Sequence, residues 1–427
     1  MNFKQVKLDN YLMLLVKLSS VGLMFLVNVI LARYMTMHEF GQYSYLMSIL
    51  TIAVIFVIWG SDKSVLRLFS LKGEKNKIEI NSSMSGLAGV VIINTFISAV
   101  VILVFIENSQ IQRPYIEIWA ALVFCLFLLS IGRISATISK GLGMPILSEL
   151  VFNIFRPLAF IFIIIVCQIT NVEINTLTVL FALIPSYFLS YTVTHYLNKK
   201  SVKINYEFSA SLSVHIYRNF FVFFLIALGP VLMSNIDILQ LGNMTNLETV
   251  AIYTVASKIV NLTLLGLVSA NLIIAPKISP LWVENKTDEL LNVIRHNNLF
   301  SLGVTALSTA FLVLFIDDIV MLYGEEYIDT AKHIVFLLII GQIVNVLCGP
   351  VLLVASLTNL KHMATMVLIV SGLVMWLLCF LLIPNYGLQG AAIANIFAYT
   401  FLNVALALFI YTKNNINTTV FNLILSR

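Results

Sequence analysis

Five charged side chains lie inside stretches that are otherwise apolar: Lys17, Arg133, Arg156, Asp237 and Lys258. A charge near the middle of a bilayer costs about 2.5–3.5 kcal/mol on insertion scales, so each needs a partner, water or a function. Lys17 lies about six residues into its stretch, roughly 9 Å from the edge, and its long stem can reach the interface. Arg133 stands near the end of its stretch, with the same two readings open. Arg156 is deeper and is followed by Pro157, which lacks an N–H and so frees the carbonyl of Asn153 at the same depth. That concentration of polarity favours a functional role for Arg156. Asp237 and Lys258 either neutralise one another as an intramembrane ion pair or take part in coupling to an ion. Four cations against one anion leave a cationic interior, which suits an anionic cargo. Phosphate on a lipid is the commonest anion a membrane cleft meets.

The elements that hold these charges follow from composition. The chain has 427 residues, 60% of them hydrophobic and 11% charged, with a mean hydropathy of +0.98. A soluble domain carries about 25% charged residues, so too few solvating side chains are present to close a soluble core of this length. The pattern predicts an all-α polytopic membrane protein with about twelve spans. They lie near 11–32, 43–60, 85–106, 117–138, 147–169, 177–197, 218–241, 250–274, 298–316, 333–356, 363–383 and 390–411. The opening MNFKQVKLDN precedes an apolar run too long for a signal-peptide core, so a retained first span is expected. Alternate loops hold eighteen Lys and Arg against three, the three being Arg33, Arg113 and Lys332. Such asymmetry predicts cytoplasmic termini.

The two halves repeat. Spans 7 to 12 begin about 205 to 216 residues after spans 1 to 6, and LGNMTNLETVAIYTVASKIV from Leu241 echoes LARYMTMHEFGQYSYLMS from Leu31. Within the first hairpin Gly41 is expected to permit the turn. Six spans per half return the chain to one side, so the repeats are parallel and form two six-helix lobes around a central cleft. The expected organisation is an N-terminal lobe over 1–200, a cytoplasmic linker over 201–217 and a C-terminal lobe over 218–427. The stretch from Pro280 to Phe300 reads as an interfacial amphipathic helix, with Leu290, Leu291, Val293 and Ile294 toward lipid.

Catalytic signatures are missing. There is no Walker A loop, HExxH or Gly-rich dinucleotide turn, so no catalytic residue and no cofactor is expected. The six histidines share no ligand spacing, and Asp317-Asp318 reads as a solvated turn, so no metal site is expected. Cys125, Cys167, Cys348 and Cys379 sit in apolar runs as packing residues. Nucleic acid is not an expected partner; membrane lipids are.

LARYMTMHEFGQYSYLMSIL resembles the first hairpin of polysaccharide-biosynthesis flippases, often written LAR-x-L-G-x-x-x-F-G-x-Y. Leu31, Ala32, Arg33, Phe40, Gly41 and Tyr43 match, while Thr36 stands where glycine is usual. NYGLQGAAIANIFAY from Asn385 is similar to the family's entry to its last span, and Ile278-Ser279-Pro280 is similar to the end of its eighth. The likeness runs from end to end and is structural in character. It implies a member of the multidrug/oligosaccharidyl-lipid/polysaccharide exporter superfamily. The implied activity carries undecaprenyl-pyrophosphate-linked oligosaccharide, an O-antigen or capsule repeat unit, to the outer leaflet of a bacterial inner membrane by alternating access. Arg156, Lys17, Arg133 and Lys258 are then the candidate pyrophosphate contacts, and a polymerase of the same pathway is a candidate partner. A multidrug exporter of the same superfamily stays open as an alternative, although four cations would repel cationic drugs. An integral-membrane glycan polymerase is disfavoured by the short external loops.

Overall fold

The computed structural model describes residues 3–70, 75–107, 111, 115–201 and 210–420. Most of the expected linker, 202–209, lies outside them. The described residues form helices and no strand. In order they are α1 Phe3–Tyr34, α2 Met37–Ile58, α3 Ser61–Ser70, α4 Lys75–Glu107, α5 Tyr115–Gly141, α6 Pro145–Leu150, a π-helical turn Val151–Phe155, α7 Arg156–Ile169 and α8 Thr176–Ser201. Then follow α9 Ala210–Met233, α10 Ile236–Met244, α11 Leu247–Thr263, α12 Leu265–Val283, α13 Thr287–Leu314, α14 Ile316–Met321, α15 Ile328–Cys348, α16 Val351–Leu357 and α17 Lys361–Asn414.

Ten of these segments are long and apolar enough to cross a membrane. The pair Phe220–Met233 and Ile236–Met244, bent by 55°, adds an eleventh. The twelfth comes from α17, which is two helices. Gly387 breaks it with φ 51° and ψ −126°, and a Cβ on Gly390 would lie 2.5 Å from the Leu382 carbonyl oxygen. Eight residues of straight helix would separate those two by about 12 Å, so the chain reverses between them. Twelve crossings result when α11 and α12, parted by Leu264 alone, form one path. The protein is thus a polytopic α-helical membrane protein of the expected span number.

The chain divides into two compact units, Met1–Val231 and Leu232–Arg427. In the first, α5 packs on α8, α3, α4 and α2, and Leu122, Cys125, Leu126 and Ser130 on it are sealed from solvent. The first hairpin turns at Met35-Thr36 rather than at Gly41, which has helical backbone within α2. The Thr36 hydroxyl accepts from the Glu39 N–H while the Glu39 carboxylate accepts from the Thr36 N–H, each at 3.3 Å. This capping box satisfies the helix's first donors and fixes where it begins. At the other end of α2, Trp59 and Gly60 both take positive φ. Gly60 lies so close to α9 that a Cβ would be 2.3 Å from the Phe224 nitrogen, and the Trp59 ring stacks on Phe224 at 4.3 Å.

In the second unit, α15, α10 and α16 pack on α17, and α12 packs along α13. The expected interfacial helix is instead the opening of α13, continuous with the span that follows. Leu290 and Ile294 are fully buried in protein rather than turned to lipid, because α12 covers that face. Asn246 caps α11, accepting the Thr249 N–H at 2.9 Å, where Thr36 caps α2 in the first copy. The segment after α17 tucks in beside Gly349, and Asn298 donates its Nδ2 to the Thr418 carbonyl at 2.8 Å.

Candidate functional site

In the first unit a cavity of about 350 Å³ opens between α5, α2, α3 and the α6–α7 segment. One face of α5 supplies Leu129, Arg133, Ala136, Thr137 and Lys140, a spacing that stacks side chains along a single helical stripe. The opposite wall comes from Phe152, Asn153 and Arg156. Pro157 explains how that wall forms. Its ring cannot coexist with an ordinary α-helical carbonyl at Asn153, so the helix widens by one residue and the Arg156 N–H donates to Val151, five residues back. The wider turn brings Phe152, Asn153 and Arg156 to the same cavity. Thr51 and Val54 of α2 and Asp62 of α3 complete the lining.

The charges in this cavity are unevenly answered. Lys140 pairs with Glu149 at 2.6 Å, and the same carboxylate accepts from Asn153. Arg156 makes no ion pair within 4.0 Å among the described residues. Its guanidinium lies over the Phe152 ring at 4.3 Å and 5.4 Å from the Tyr187 ring, held by cation–π contact on its faces with its donors left at the edge. Arg133, Tyr43 and Tyr187 are within electrostatic reach of it. Two arginines with few carboxylates beside them can bind a doubly charged, oxygen-rich anion through planar forks of donors.

Of the four cations singled out in the sequence, the structure brings Arg133 and Arg156 to one cavity. Lys17 is half-buried on α1, which packs on α6, the π-helical turn and α7, but it does not line the cavity. Lys258 is half-buried on α11 in the second unit. It makes no ion pair with Asp237 within 4.0 Å. Asp237 is instead held by neutral donors: the Tyr253 hydroxyl at 2.6 Å, the Asn395 Nδ2 at 3.0 Å and the Ile238 N–H at 2.9 Å. Only 4% of its surface is exposed. Lys140, Asp62 and Asn153 were not singled out as site residues. Lys140 was legible, since it continues the stripe of Arg133 by two turns of helix.

Residues 9–282 match the model of the family described as polysaccharide biosynthesis protein. No curated protein sequence matches the chain significantly. Among solved structures the fold is similar to the lipid II flippase MurJ in an inward closed conformation, with a TM-score of 0.78 at 15% identity over 94% of this chain and 87% of that one. It is also similar to a multidrug resistance MATE family transporter of the MOP superfamily in an inward-facing conformation, with a TM-score of 0.70 at 13% identity over 94% and 98% of the two chains. A MOP superfamily transporter from Pyrococcus furiosus gives 0.64 at 14% identity over 95% and 94%. These neighbours are transporters and flippases rather than enzymes. With more than half its length matched, the chain belongs to the polysaccharide biosynthesis protein family and has the fold of MOP superfamily transporters.

Proposed function

We propose that this protein is a flippase carrying an undecaprenyl-pyrophosphate-linked oligosaccharide from the cytoplasmic to the outer leaflet of a bacterial inner membrane. Its cargo is an O-antigen or capsule repeat unit. The observation that carries this reading is the convergence of Arg133 and Arg156 on one cavity, with Arg156 unpaired by any carboxylate within 4.0 Å among the described residues. At about 350 Å³ the cavity lies near the lower end of ligand pockets, roughly 300–1,000 Å³, so it suits a pyrophosphate and leaves the sugars elsewhere. Lys17 and Lys258 are further phosphate contacts in this proposal, met as two lobes, 1–200 and 218–427, alternate access around a central cleft. Both termini are cytoplasmic, and a polymerase of the same pathway receives the product. Asp237, with Lys258 near it, is the candidate for ion coupling.

The multidrug-exporter reading fares worse for an electrostatic reason. A hydrophobic cation entering the Arg133–Arg156 cavity meets like charge from two arginines, with Asp62 the one carboxylate in the lining among the described residues.

Binding to a lipid-pyrophosphate oligosaccharide and to a cationic dye, measured side by side on purified protein, separates the two. Arg156→Ala is expected to lower affinity for the glycolipid roughly ten- to hundredfold, the loss of about 1.5–3 kcal/mol for a charge-assisted contact. Arg156→Lys should recover part of it, since an ammonium lacks the planar fork. Tight dye binding that Arg156→Ala leaves intact, with no glycolipid binding, would establish the exporter instead.

A further inference from the structure

A second cavity lies in the other unit, between α12 and α13, and the proposed cargo pathway does not use it. Its volume is about 450 Å³. Lys277 comes from α12, and Asn292, His296 and Asn297 come from α13. The two helices are joined by only Glu284, Asn285 and Lys286. Lys277 is therefore about 10 Å from the connection, and His296 about 13 Å along the other limb, at nearly the same level. At 28 residues α13 is roughly 42 Å long, well beyond a 30 Å hydrocarbon core, so this level corresponds to the headgroup zone. The rest of the wall is apolar and opens outward: Ile273 is 50% exposed and Phe300 51% exposed. No carboxylate is among the lining residues.

Two details define what fits. The side-chain carbonyl oxygen of Asn297 is buried and has no hydrogen-bond partner, while its Nδ2 makes only a long 3.4 Å contact to Asn271. Asn297 as a whole is 4% exposed. A buried acceptor left unmet costs free energy, so a ligand bringing a donor there is favoured. The His296 Nδ1 lies 2.8 Å from the Asn292 backbone carbonyl. A carbonyl can only accept, so Nδ1 donates to it and Nε2 is turned away from the backbone.

We infer that this groove is a binding site for an anionic phospholipid with a hydroxylated headgroup, of the phosphatidylglycerol type. The Lys277 ammonium faces the phosphate, the imidazolium form of His296 donates to it from Nε2, a headgroup hydroxyl donates to the Asn297 carbonyl, and the acyl chains lie along Ile273 and Phe300. Basic pockets between membrane helices recognise acidic headgroups in this way. Phosphatidylethanolamine also carries a phosphate and a donor, but its headgroup is zwitterionic, so it brings a positive charge into a groove that already holds Lys277 and no lining carboxylate. Free phosphate would leave the apolar walls unused.

Native mass spectrometry of delipidated full-length protein, titrated with phospholipids of identical acyl chains, tests the inference. Phosphatidylglycerol should bind about tenfold more tightly than phosphatidylethanolamine, and Lys277→Gln with His296→Gln should abolish the difference. Both side chains are exposed, so the variant should elute and melt like the parent. Phosphatidylmethanol, which has the same charge without hydroxyls, should bind several-fold more weakly than phosphatidylglycerol. Millimolar inorganic phosphate should not displace the lipid. Equal retention of phosphatidylglycerol and phosphatidylethanolamine, or a preference that survives the double substitution, overturns the site. Equal binding of phosphatidylmethanol overturns the role of the Asn297 carbonyl. None of these readouts depends on glycolipid transport.

Discussion

Tyr43 and Tyr253 hold the same place in the two copies of the hairpin, and both are buried, yet they face opposite charge. In the first unit Tyr43 is within electrostatic reach of Arg156 and Tyr187, and Arg156 lines a cavity together with Arg133. In the second unit Tyr253 donates its hydroxyl to Asp237, and Asn395 and a backbone N–H supply the remaining donors. The two copies share the backbone device of a tight turn, a capped second helix and a buried tyrosine. They differ in how the polar groups are met. Arg156 has no carboxylate within 4.0 Å among the described residues. Asp237 accepts from three neutral donors.

That contrast gives the largest expected effect. Asp237→Ala strands the buried Tyr253 hydroxyl and the half-buried Asn395 amide, at a cost of about 1–3 kcal/mol for each group left unmet. Protein level and melting temperature should fall sharply, with Asp237→Asn recovering much of the loss because an amide oxygen still accepts. Arg156→Ala should leave the melting temperature nearly unchanged while binding fails. If Asp237→Ala folds as well as the parent and Arg156→Ala does not, the roles assigned to the two units are reversed.

A smaller effect distinguishes their glycines. Gly60 and Gly387 both have positive φ, 70° and 51°. A Cβ on Gly60 would strike the backbone of Phe224 at 2.3 Å, whereas nothing lies within 4 Å of one on Gly387. Gly60→Ala therefore combines backbone strain with overpacking, about 2–4 kcal/mol, and Gly387→Ala meets the strain alone, about 1–3 kcal/mol. Thermal melts of the two variants should rank them in that order. Equal losses would mean that α2 does not bear on α9 at this point.

These comparisons also show what the sequence could reveal. Span number and the two-lobed fold were legible because they rest on hydropathy and spacing, and the irregular turn before Pro157 because it rests on a missing N–H. Lys140 lies beyond the apolar run 117–138, yet α5 continues to Gly141 and carries it onto the Arg133 stripe. Asp62 lies past the Trp59-Gly60 break, and only the return of α3 onto α5 brings it to the cavity. Asn395 is 158 residues from Asp237, and no local pattern announces such a contact. The interfacial helix was misjudged for a related reason. An apolar stripe has the same spacing whether lipid or α12 covers it.

The finest test concerns the turns themselves, where the two copies solve one problem in two ways. Thr36 caps α2 through a reciprocal pair of 3.3 Å hydrogen bonds with Glu39. Asn246 caps α11 through one shorter bond of 2.9 Å to the Thr249 N–H, and at the position matching Glu39 the chain has a threonine, which cannot reach back as a glutamate does. Removing either cap by alanine should cost about 1 kcal/mol. The partners should behave differently. Glu39→Ala removes half of the reciprocal pair and leaves the Thr36 N–H unmet, so it should cost a measurable part of what Thr36→Ala costs. Thr249→Ala leaves intact the backbone N–H that Asn246 uses, and it should cost less than Glu39→Ala. Melting temperatures of the four single variants, measured at one protein and lipid concentration, decide the matter. If Thr249→Ala proves as damaging as Glu39→Ala, its hydroxyl contacts to Asn246 and Thr245 do the work assigned here to the backbone, and the two caps are closer in kind than their sequences suggest.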